Sequence, residues 1–401
     1  MSRKLWRPLP AALVAACAVA LLLTTSAGAN GGRPPVFQPK TTNVNCGDTL
    51  SVSIVLNGNL DCSAYAGTAV TLDKGVKFDL GGHTLTVDSG HIGVYADASN
   101  AVVTDGTITG GTDGVEFDDS QGDQVTKTHI LSSASYNVYL YYDGAAQITS
   151  NTLSGPDYAV YSEYGQGNVI SKNTISGIGS GGEGVSLYYD IRDQISSNMV
   201  SFTSTSNTYG FYDEYSYGNT FTSNTSSGGY YGFYIDEDDY GPVYMKGNTA
   251  ENANQYGFYT YYDFNDNDYQ CPCSSFVGNK AINNGSDGFY SEYDIGSTWS
   301  GNTATSNGGD GFVMYYPYKY IVKSNTATLN ADAGFYFESD DSEYAFSSIA
   351  SNTADTNSDY GFYSDYFIAL GAGNKAKGNS PYDCYLTTCP VGSSYTASTN
   401  P

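Results

Sequence analysis

The stretch Gly210-Phe211-Tyr212 recurs along most of the chain and decides the fold. The copies from Gly210 onward carry Phe in second place, and the copies before Gly210 carry Val there. The residues that lead the copies are Gly93, Gly114, Asn137, Ala159, Gly184, Gly210, Gly232, Gly257, Gly288, Gly311, Gly334 and Gly361. These leads lie 21 to 31 residues apart, and a recurrent period in this range is typical of a repeat architecture.

Within each copy, the residues alternate between two chemical types. The first position after the lead is always Val or Phe, the second is mostly Tyr, the third is often apolar, and the fourth is largely Asp, Glu or Tyr. This alternation predicts a strand with one buried face. Because one coil cannot bury its own apolar face, the copies should stack, with Val on Val and then Phe on Phe. Phe289 should therefore point inward.

Asparagine marks a second point in each coil. It follows the lead residue by fourteen positions at Asn151, Asn173, Asn198, Asn224, Asn302 and Asn325. We predict a ladder of turns whose amides bond from coil to coil. The same interval is longer in the copies led by Gly232, Gly257 and Gly334, which indicates inserted loops. The sequence thus predicts an all-β parallel solenoid of about 12 coils.

Residues 1–29 have the pattern of a secretory signal, with Arg3, Lys4 and Arg7 before an apolar run. The run from Ala11 to Leu23 is too short to span a membrane. Three of the 16 basic residues lie in this signal, so cleavage leaves 41 acidic residues against 13 basic ones and a net charge of −28. That charge argues against nucleic acid and anionic membranes as partners. We expect a secreted monomer, extracellular or associated with the cell surface.

Six cysteines follow the signal, and an even count in an exported chain indicates disulfides. Cys46 with Cys62, and Cys384 with Cys389, bracket the repeats, so each pair is predicted to staple a cap. Cys271-Pro272-Cys273 fits neither a relaxed disulfide nor a zinc site, because no second pair stands at suitable spacing. Its pairing stays open.

Three motifs near the start of the mature chain support a family resemblance. They are Cys46-Gly47-Asp48-Thr49, Asn59-Leu60-Asp61-Cys62 and Phe78-Asp79-Leu80-Gly81-Gly82-His83-Thr84-Leu85. Together they resemble the entry to secreted right-handed parallel β-helix repeat proteins of the pectin-lyase-like superfamily, in the Asn-rich branch. The resemblance covers about residues 46 to 375 and implies a right-handed parallel β-helix with disulfide-stapled caps. We divide the chain into a signal (1–29), a flexible leader (30–45), an N-terminal cap (46–70), the β-helix (71–375), and a C-terminal cap and tail (376–401).

The catalytic motifs of enzymes in that superfamily are not matched. The polygalacturonase-like set pairs Asn-Thr-Asp with Gly-His-Gly and Arg-Ile-Lys, and only Asp-Asp pairs occur here. Arg192 is the only Arg within the coils, and its neighbours Asp190 and Asp193 favour a surface ion pair. Neither His83, His91 nor His129 has a partner that indicates catalysis. A catalytic residue therefore stays unknown.

Acidic residues cluster in two inserted stretches on neighbouring coils. Stacking would bring these carboxylates together, so they either bind calcium or stay splayed in water, and both alternatives stay open. The candidate metal ligands are Asp236, Asp238, Asp239, Asp263, Asp266 and Asp268.

Tyrosines form outer rows at the second and fifth positions of the copies. Exposed Tyr rings beside carboxylates can stack on sugar rings and bond their hydroxyls, or the rings can pack on one another and cover the surface. The candidate ligand-binding residues are Tyr215, Tyr234, Tyr259, Tyr262 and Tyr293.

These features favour an exported protein that binds polysaccharide or cell-wall glycan along a face rich in Tyr and acids, without catalysis. One alternative is a polysaccharide lyase or glycoside hydrolase at the acidic loops, which would need an acid and a base held in a cleft. A charge of −28 would, however, repel an acidic polysaccharide. The other alternative is a purely structural or adhesive surface protein.

Overall fold

Most coils among the described residues contain three short parallel strands, and each strand pairs with its counterpart one coil away. The structure is a computed structural model, and it describes residues 43–236, 241–261, 274–294, 296–338 and 348–387. These residues form 40 strands and no helix. No helix among them could therefore cross a membrane.

The first sheet carries the repeated Gly-Phe-Tyr motif. All of its pairs are parallel, as in the register that places Phe211 beside Phe233 and Tyr212 beside Tyr234. Its fifteen strands are Asp48–Leu50, Val70–Leu72, Val94–Ala96, Asp113–Asp118, Tyr136–Tyr141, Tyr158–Glu163, Glu183–Tyr188, Tyr209–Glu214, Tyr231–Asp236, Phe258–Tyr261, Phe289–Glu292, Phe312–Tyr315, Phe335–Glu338, Phe362–Ile368 and Cys384–Thr387.

Two further rows of strands, which we call the second and third sheets, complete the coils. Two long strands, Val102–Gly110 and Gln124–Leu131, belong to both of these sheets. The second sheet otherwise contains Ile54–Val55, Lys77–Asp79, Gln147–Thr149, Val169–Ser171, Gln194–Ser196, Thr220–Thr222, Tyr244–Lys246, Ser275–Val277, Thr298–Ser300, Ile321–Lys323 and Ser348–Ala350. The third sheet contains Leu60–Cys62, Thr84–Val87, Thr152–Ser154, Thr174–Ile178, Met199–Phe202, Thr225–Ser227, Thr249–Glu251, Lys280–Ile282, Thr303–Thr305, Thr326–Thr328, Thr353–Asp355 and Lys375–Lys377.

The predicted solenoid is confirmed, and its described part has more coils than the Gly-led motif indicates. The first sheet has fifteen strands, whereas about 12 coils were predicted. Asp48–Leu50, Val70–Leu72 and Cys384–Thr387 extend it beyond the twelve copies. Each of these strands departs from the motif: Asp48 and Cys384 replace the Val or Phe, and Thr71 follows Val70 in place of Tyr.

The core contains the predicted ladder of Phe side chains. Phe289 is fully buried, and its ring stacks at 4.7 Å on Phe258 and at 4.7 Å on Phe312. Neighbouring pairs have ring planes within 4° to 13° of parallel. Such offset stacks add to the area that each ring buries. The ladder consists of Phe211, Phe233, Phe258, Phe289, Phe312, Phe335 and Phe362.

The lead glycine is required by a close approach between two walls of the coil. A Cβ on Gly232 would lie 2.5 Å from Ala250 Cβ and 2.5 Å from the carbonyl oxygen of Gly257. Real Cβ atoms do not come so close, so Gly and a small opposing residue occur together. The opposing row is Ala250, Ala281, Ala304, Ala327, Ala354 and Ala376. The repeated Gly therefore marks a position where the two walls of the coil come close together.

Two asparagine ladders support the corners of the coil. In the first, Asn302 donates from its backbone N–H and from Nδ2 to Asn325 Oδ1, at 2.9 and 3.0 Å. Nδ2 also donates to the Phe276 carbonyl at 2.8 Å. This ladder contains Asn151, Asn173, Asn198, Asn224, Asn248, Asn279, Asn302, Asn325, Asn352 and Asn374. The predicted bonding from coil to coil is confirmed.

The second ladder was not predicted. Its members repeat the same pattern, as in Asn307 Nδ2, which donates to Asn330 Oδ1 at 2.9 Å. It contains Asn284, Asn307, Asn330, Asn357 and Asn379 and ends on Asp383. The signal was available, because the first four of these Asn residues precede the lead Gly by four positions.

One predicted disulfide is present in full. Cys46 and Cys62 are bonded, with their Cα atoms 5.6 Å apart, which lies in the usual range. Cys384 is also disulfide-bonded, but its predicted partner Cys389 lies outside the described residues, as do Cys271 and Cys273.

Candidate functional site

The outward side chains of the first sheet form a continuous surface of Tyr and carboxylates, which we call the tyrosine face. Three rows run along it from coil to coil. The first row is Tyr136, Tyr158, Glu183, Tyr209, Tyr231 and Tyr256; the second is Tyr139, Tyr161, Ser186, Tyr212, Tyr234, Tyr259, Tyr290, Val313, Tyr336 and Tyr363; the third is Tyr141, Glu163, Tyr188, Glu214, Asp236, Tyr261, Glu292, Tyr315 and Glu338.

Four consecutive rings of the second row, from Tyr212 to Tyr290, stack on one another. Tyr234 lies 5.2 Å from Tyr212 and 5.0 Å from Tyr259, with planes 2° and 12° from parallel. Tyr259 continues the stack to Tyr290 at 5.3 Å. Because each ring covers its neighbour's face, what these rings present to solvent is mainly their edges and hydroxyls. The structure contains the self-packed ladder, and a sugar would meet the hydroxyl edge of that ladder rather than a ring face.

Carboxylates of the third row accept hydrogen bonds from these Tyr hydroxyls. Tyr212 donates to Glu214 at 2.8 Å, and Tyr234 donates to Asp236 at 3.2 Å. The single Tyr336 hydroxyl lies within hydrogen-bond distance of carboxylate oxygens of both Glu338 and Asp365. Burial, and after it the nearby carboxylates, raise the pKa of Tyr234 above its usual range. These phenols therefore remain neutral donors at physiological pH.

The described part of the tyrosine face carries carboxylates but no cationic side chain. Among the described residues, no Lys or Arg lies on a strand of the first sheet. The basic residues of the coils are on the other two sheets and the turns, such as Lys246 and Lys280. The face is therefore a polar, acidic array that disfavours polyanions.

The first and second Tyr rows of the tyrosine face are interrupted in the coil led by Gly184. Here Glu183 and Ser186 replace the Tyr residues of the first and second rows. Glu183 is only 8% exposed, and its Oε2 has no hydrogen-bond partner. Burial raises the pKa of Glu183 to about 7, with a further contribution from Glu214. Sequence reasoning missed this carboxyl, although the break in the Tyr period marks it.

A fourth row of Tyr residues, the corner row, lies at the turns that directly follow the strands of the first sheet. Tyr164 stacks on Tyr189 at 5.2 Å and Tyr189 stacks on Tyr215 at 5.0 Å. All three adopt the left-handed backbone region, with φ near 55°, which is uncommon outside Gly, Asn and Asp. Stacking compensates for the strain that this conformation costs.

The structure describes four of the five predicted ligand-binding residues and one of the six predicted metal ligands. Tyr234 and Tyr259 lie next to each other in the second row. Tyr215 and Tyr293 are both in the corner row. Asp236 lies on the tyrosine face. Tyr262, Asp238, Asp239, Asp263, Asp266 and Asp268 lie outside the described residues.

The predicted ion pair of Arg192 is wrong. Asp190 and Asp193 are fully buried inside the coil, whereas Arg192 is exposed. The left-handed residues Tyr189 and Arg192 redirect the chain, so that both carboxyls point inward. Asp193 Oδ1 instead accepts from the Asn168 backbone N–H at 2.8 Å, and Asp190 accepts from the Gly165 N–H.

The buried acids form an interior group without a basic partner among the described residues. Asp143, only 1% exposed, has no hydrogen-bond partner on either carboxyl oxygen. Burial and the charges of Asp123 and Asp193 raise the pKa of Asp143 to about 7. Burial also raises the pKa of Asp193 to about 7 and that of Asp190 well above its usual range. These groups keep their protons up to about neutral pH because a lone buried charge is costly.

Two family descriptions match separate parts of the sequence. Residues 80–245 match the family described as periplasmic copper-binding protein (NosD), and residues 269–396 match the right handed beta helix region. No curated protein matches the chain.

Solved structures match the fold at low sequence identity. The crystal structure of the periplasmic alginate epimerase AlgG aligns with a TM-score of 0.50 at 14% identity, over 76% of this chain and 75% of that chain. The A-module of the Azotobacter vinelandii mannuronan C-5 epimerase AlgE6 aligns with a TM-score of 0.47 at 14% identity, over 86% and 91%. The chain is a right-handed parallel β-helix protein. The resemblance to the pectin-lyase-like superfamily is thus confirmed at the level of the fold.

The described residues do not fit a copper centre. Copper in proteins is usually held by imidazole and sulfur ligands grouped around the ion. No group of three or more His, Cys, Asp or Glu side chains within the described ranges could hold a metal ion. His91 bonds Asp88, and His129 is exposed on the third sheet.

Proposed function

We propose that this chain is an exported protein that binds a neutral polysaccharide or cell-wall glycan along its tyrosine face, without catalysis. The observation that carries the proposal is the repeating edge of neutral Tyr hydroxyls and carboxylates on the first sheet, exemplified by Tyr212 with Glu214 and Tyr234 with Asp236. These groups donate and accept hydrogen bonds, as the hydroxyls of a glycan do. Their repetition offers the same contact to successive sugar units.

Charge determines which class of glycan fits. The strands of the first sheet contribute carboxylates and, among the described residues, no Lys or Arg. An acidic polysaccharide would therefore be repelled, whereas a neutral one would pay only for desolvation. The alginate epimerase named above has the same fold. That likeness supports a polysaccharide as ligand but does not extend to its acidic substrate.

Export rests on two further observations. The pattern of residues 1–29 is that of a secretory signal. The Cys46–Cys62 disulfide is of a type that persists in oxidising compartments. Both support a protein that works outside the cytoplasm.

Binding and turnover can be measured on the same ligands. The mature chain is applied to an array of neutral and acidic polysaccharides, and each polysaccharide is then assayed for new reducing ends. We expect retention on one or more neutral glycans with no new reducing ends. Depolymerisation of any of them would contradict the non-catalytic proposal, and retention only on acidic glycans would contradict the tyrosine face as the site.

One specific observation favours a hydrolytic alternative. Glu183, whose pKa is raised to about 7, lies within electrostatic range of Glu214 on the next coil. A protonated and an ionised carboxyl are what glycoside hydrolysis requires. If new reducing ends appear in the assay above and Glu183→Gln abolishes them, this pair is the catalytic site.

A further inference from the structure

A groove on the second sheet side of the coil is a candidate site apart from the tyrosine face. It is open to solvent, its volume is about 450 Å³, and the residues that line it include Arg192, Gln194, Tyr217, Gly218, Thr220 and Tyr244. We call it the Arg192 groove. Its walls come from three successive coils, since Gln194, Thr220 and Tyr244 are neighbours in the second sheet. A ligand there would contact residues that the stacked strands hold in place.

The groove carries one positive charge in a strongly acidic protein. Arg192 is the only charged side chain among the described residues that line it. It makes no ion pair with any described carboxylate, because the acids beside it in sequence, Asp190 and Asp193, are buried. The chain as a whole has a net charge of −25. Arg192 is the only Arg among the described residues, and its guanidinium is thus free to bind an external anion.

Neighbouring groups limit where the guanidinium can lie. Its Cζ is 6.0 Å from the centre of the Tyr217 ring, within the range of a cation–π contact. The Arg192 side chain also passes over Gly218, where a Cβ would come within 3.3 Å of Arg192 Cγ. Packing that limits the rotamers of an Arg leaves less entropy to lose when it binds a ligand.

The lining suits an oxyanion that is attached to a ring. A guanidinium presents a planar fork of donors that matches carboxylate and related oxyanions. Tyr217 and Tyr244 are both more than 40% exposed, and they offer ring faces or hydroxyls to the rest of the ligand. Gln194 and Thr220 add an amide and a hydroxyl.

A solvated surface arginine is the simplest alternative. Such residues usually lie on open surface or pair with nearby acids. Arg192 instead borders an open groove whose other described lining residues are uncharged, and its Cζ lies over the Tyr217 ring. These features together distinguish it from the isolated exposed Lys172 two corners earlier in the chain.

We propose that the Arg192 groove binds an oxyanion, a carboxylate or a sulfate ester, carried on a sugar ring. The site is separate from the tyrosine face and has the opposite charge preference. It goes beyond the proposed function, and its test does not depend on it, because small charged sugars replace the polysaccharide.

Titration calorimetry at fixed ionic strength tests the proposal with four probes: D-glucuronate, glucose 6-sulfate, glucose and inorganic sulfate. We expect at least one of the two charged sugars to bind about tenfold or more tighter than glucose and inorganic sulfate. Preference for glucuronate would assign a carboxylate, and preference for glucose 6-sulfate would assign a sulfate ester.

Two variants provide the decisive comparison. Arg192→Gln should abolish the preference for the charged sugar, whereas Lys172→Gln should leave it unchanged. Both residues are exposed and share a left-handed backbone, with φ of 59° and 57°, so the variants are matched in charge and conformation. Equal binding of glucose and both charged sugars, or unchanged binding by Arg192→Gln, would overturn the proposal. Equally tight binding of inorganic sulfate would overturn recognition of the ring.

Discussion

Phe289 lies in the middle of the Phe ladder and illustrates how single residues hold the coils together. It contacts Phe258 and Phe312 at 4.7 Å on either side and is edge-on to Trp299 at 5.9 Å. Both neighbours belong to other strands of the sheet and are held in their own stacks. They cannot collapse into the space that a smaller residue would leave.

Phe289→Ala should therefore lower the free energy of unfolding by about 3–5 kcal/mol. Denaturant-induced unfolding, followed by circular dichroism, measures the loss. Val52→Ala, at a position that is 54% exposed, should change stability by about 0.5 kcal/mol or less. A comparable loss in both variants would contradict the register of the core.

The inward Phe and the outward Tyr could be predicted because hydrophobic residues of a strand alternate with a period of two. The inward Asp190 and Asp193 could not. Asp is usually exposed, and nothing in the local sequence indicates that Tyr189 and Arg192 adopt positive φ. Their conformation depends on stacking against the coils above and below, which is a property of the assembled solenoid.

At the scale of the structural element, the first asparagine ladder stabilises one corner of ten successive coils, from Asn151 to Asn374. Asn302 Oδ1 accepts from the backbone N–H and from Nδ2 of Asn279, at 2.8 and 3.1 Å. The backbone N–H and Nδ2 of Asn302 donate in turn to Asn325 Oδ1 on the next coil. All of these groups are buried, so one missing amide leaves several unsatisfied at once.

Asn302→Ala should cost about 3 kcal/mol or more, because buried donors on Asn279 and the Phe276 carbonyl lose their partners. The midpoint of thermal unfolding is the readout. Asn254→Ala, which removes an exposed Asn, is the matched control. If the two variants have the same melting temperature, the ladder does not stabilise the fold.

The first ladder was predictable from its spacing of fourteen residues, whereas the second was hidden. The first ladder follows each lead Gly by fourteen residues, whereas Asn307 and Asn330 of the second ladder precede the next lead by four residues. Insertions change the number of residues from a lead Gly to the following Asn, but they leave the four residues from that Asn to the next lead Gly unchanged. The third strand of each coil was also not predicted. Strands such as Thr303–Thr305 are three residues long, too short for alternation to be distinctive.

Calcium binding at the acidic inserted stretches stays a prediction. Of its proposed ligands only Asp236 is described, and it already accepts a hydrogen bond from Tyr234. Calorimetric titration with calcium should give heat of binding, and the ion should raise the melting temperature. Magnesium is the control ion, since it favours smaller octahedral sites. The absence of binding heat, together with an unchanged melting temperature, would contradict calcium binding.

For the whole molecule, the buried acids determine how stability depends on pH. The pKa of Asp143, Asp193 and Glu183 is raised to about 7 by burial above all. In an unfolded chain these groups ionise near pH 4. Between about pH 4 and 7 the folded chain therefore binds more protons than the unfolded one, and stability is lost as the pH rises through this window.

The melting temperature should accordingly be several degrees higher at pH 5 than at pH 8, opposite to ordinary acid denaturation. Asp143→Asn should weaken this dependence, because the amide cannot ionise. Asp61→Asn removes an exposed carboxyl whose pKa is lowered by hydrogen bonds from Ser63 and should not weaken it. A melting temperature that rises steadily from pH 5 to 8 would contradict the assignment.

The most direct test of the central claim is the affinity of the tyrosine face for the neutral polysaccharide that the array identifies. The double variant Tyr234→Phe and Tyr259→Phe removes two hydroxyls and keeps the stacked rings, while Tyr65→Phe changes an exposed Tyr elsewhere. At about 1 kcal/mol for each lost hydrogen bond, the double variant should bind about tenfold or more weakly. Loss of the bond from Tyr234 to Asp236 should lower its stability by only about 1 kcal/mol, so the variant stays folded in the assay. Tyr65→Phe should bind like the native chain. Native affinity in the double variant would contradict the tyrosine face as the binding surface.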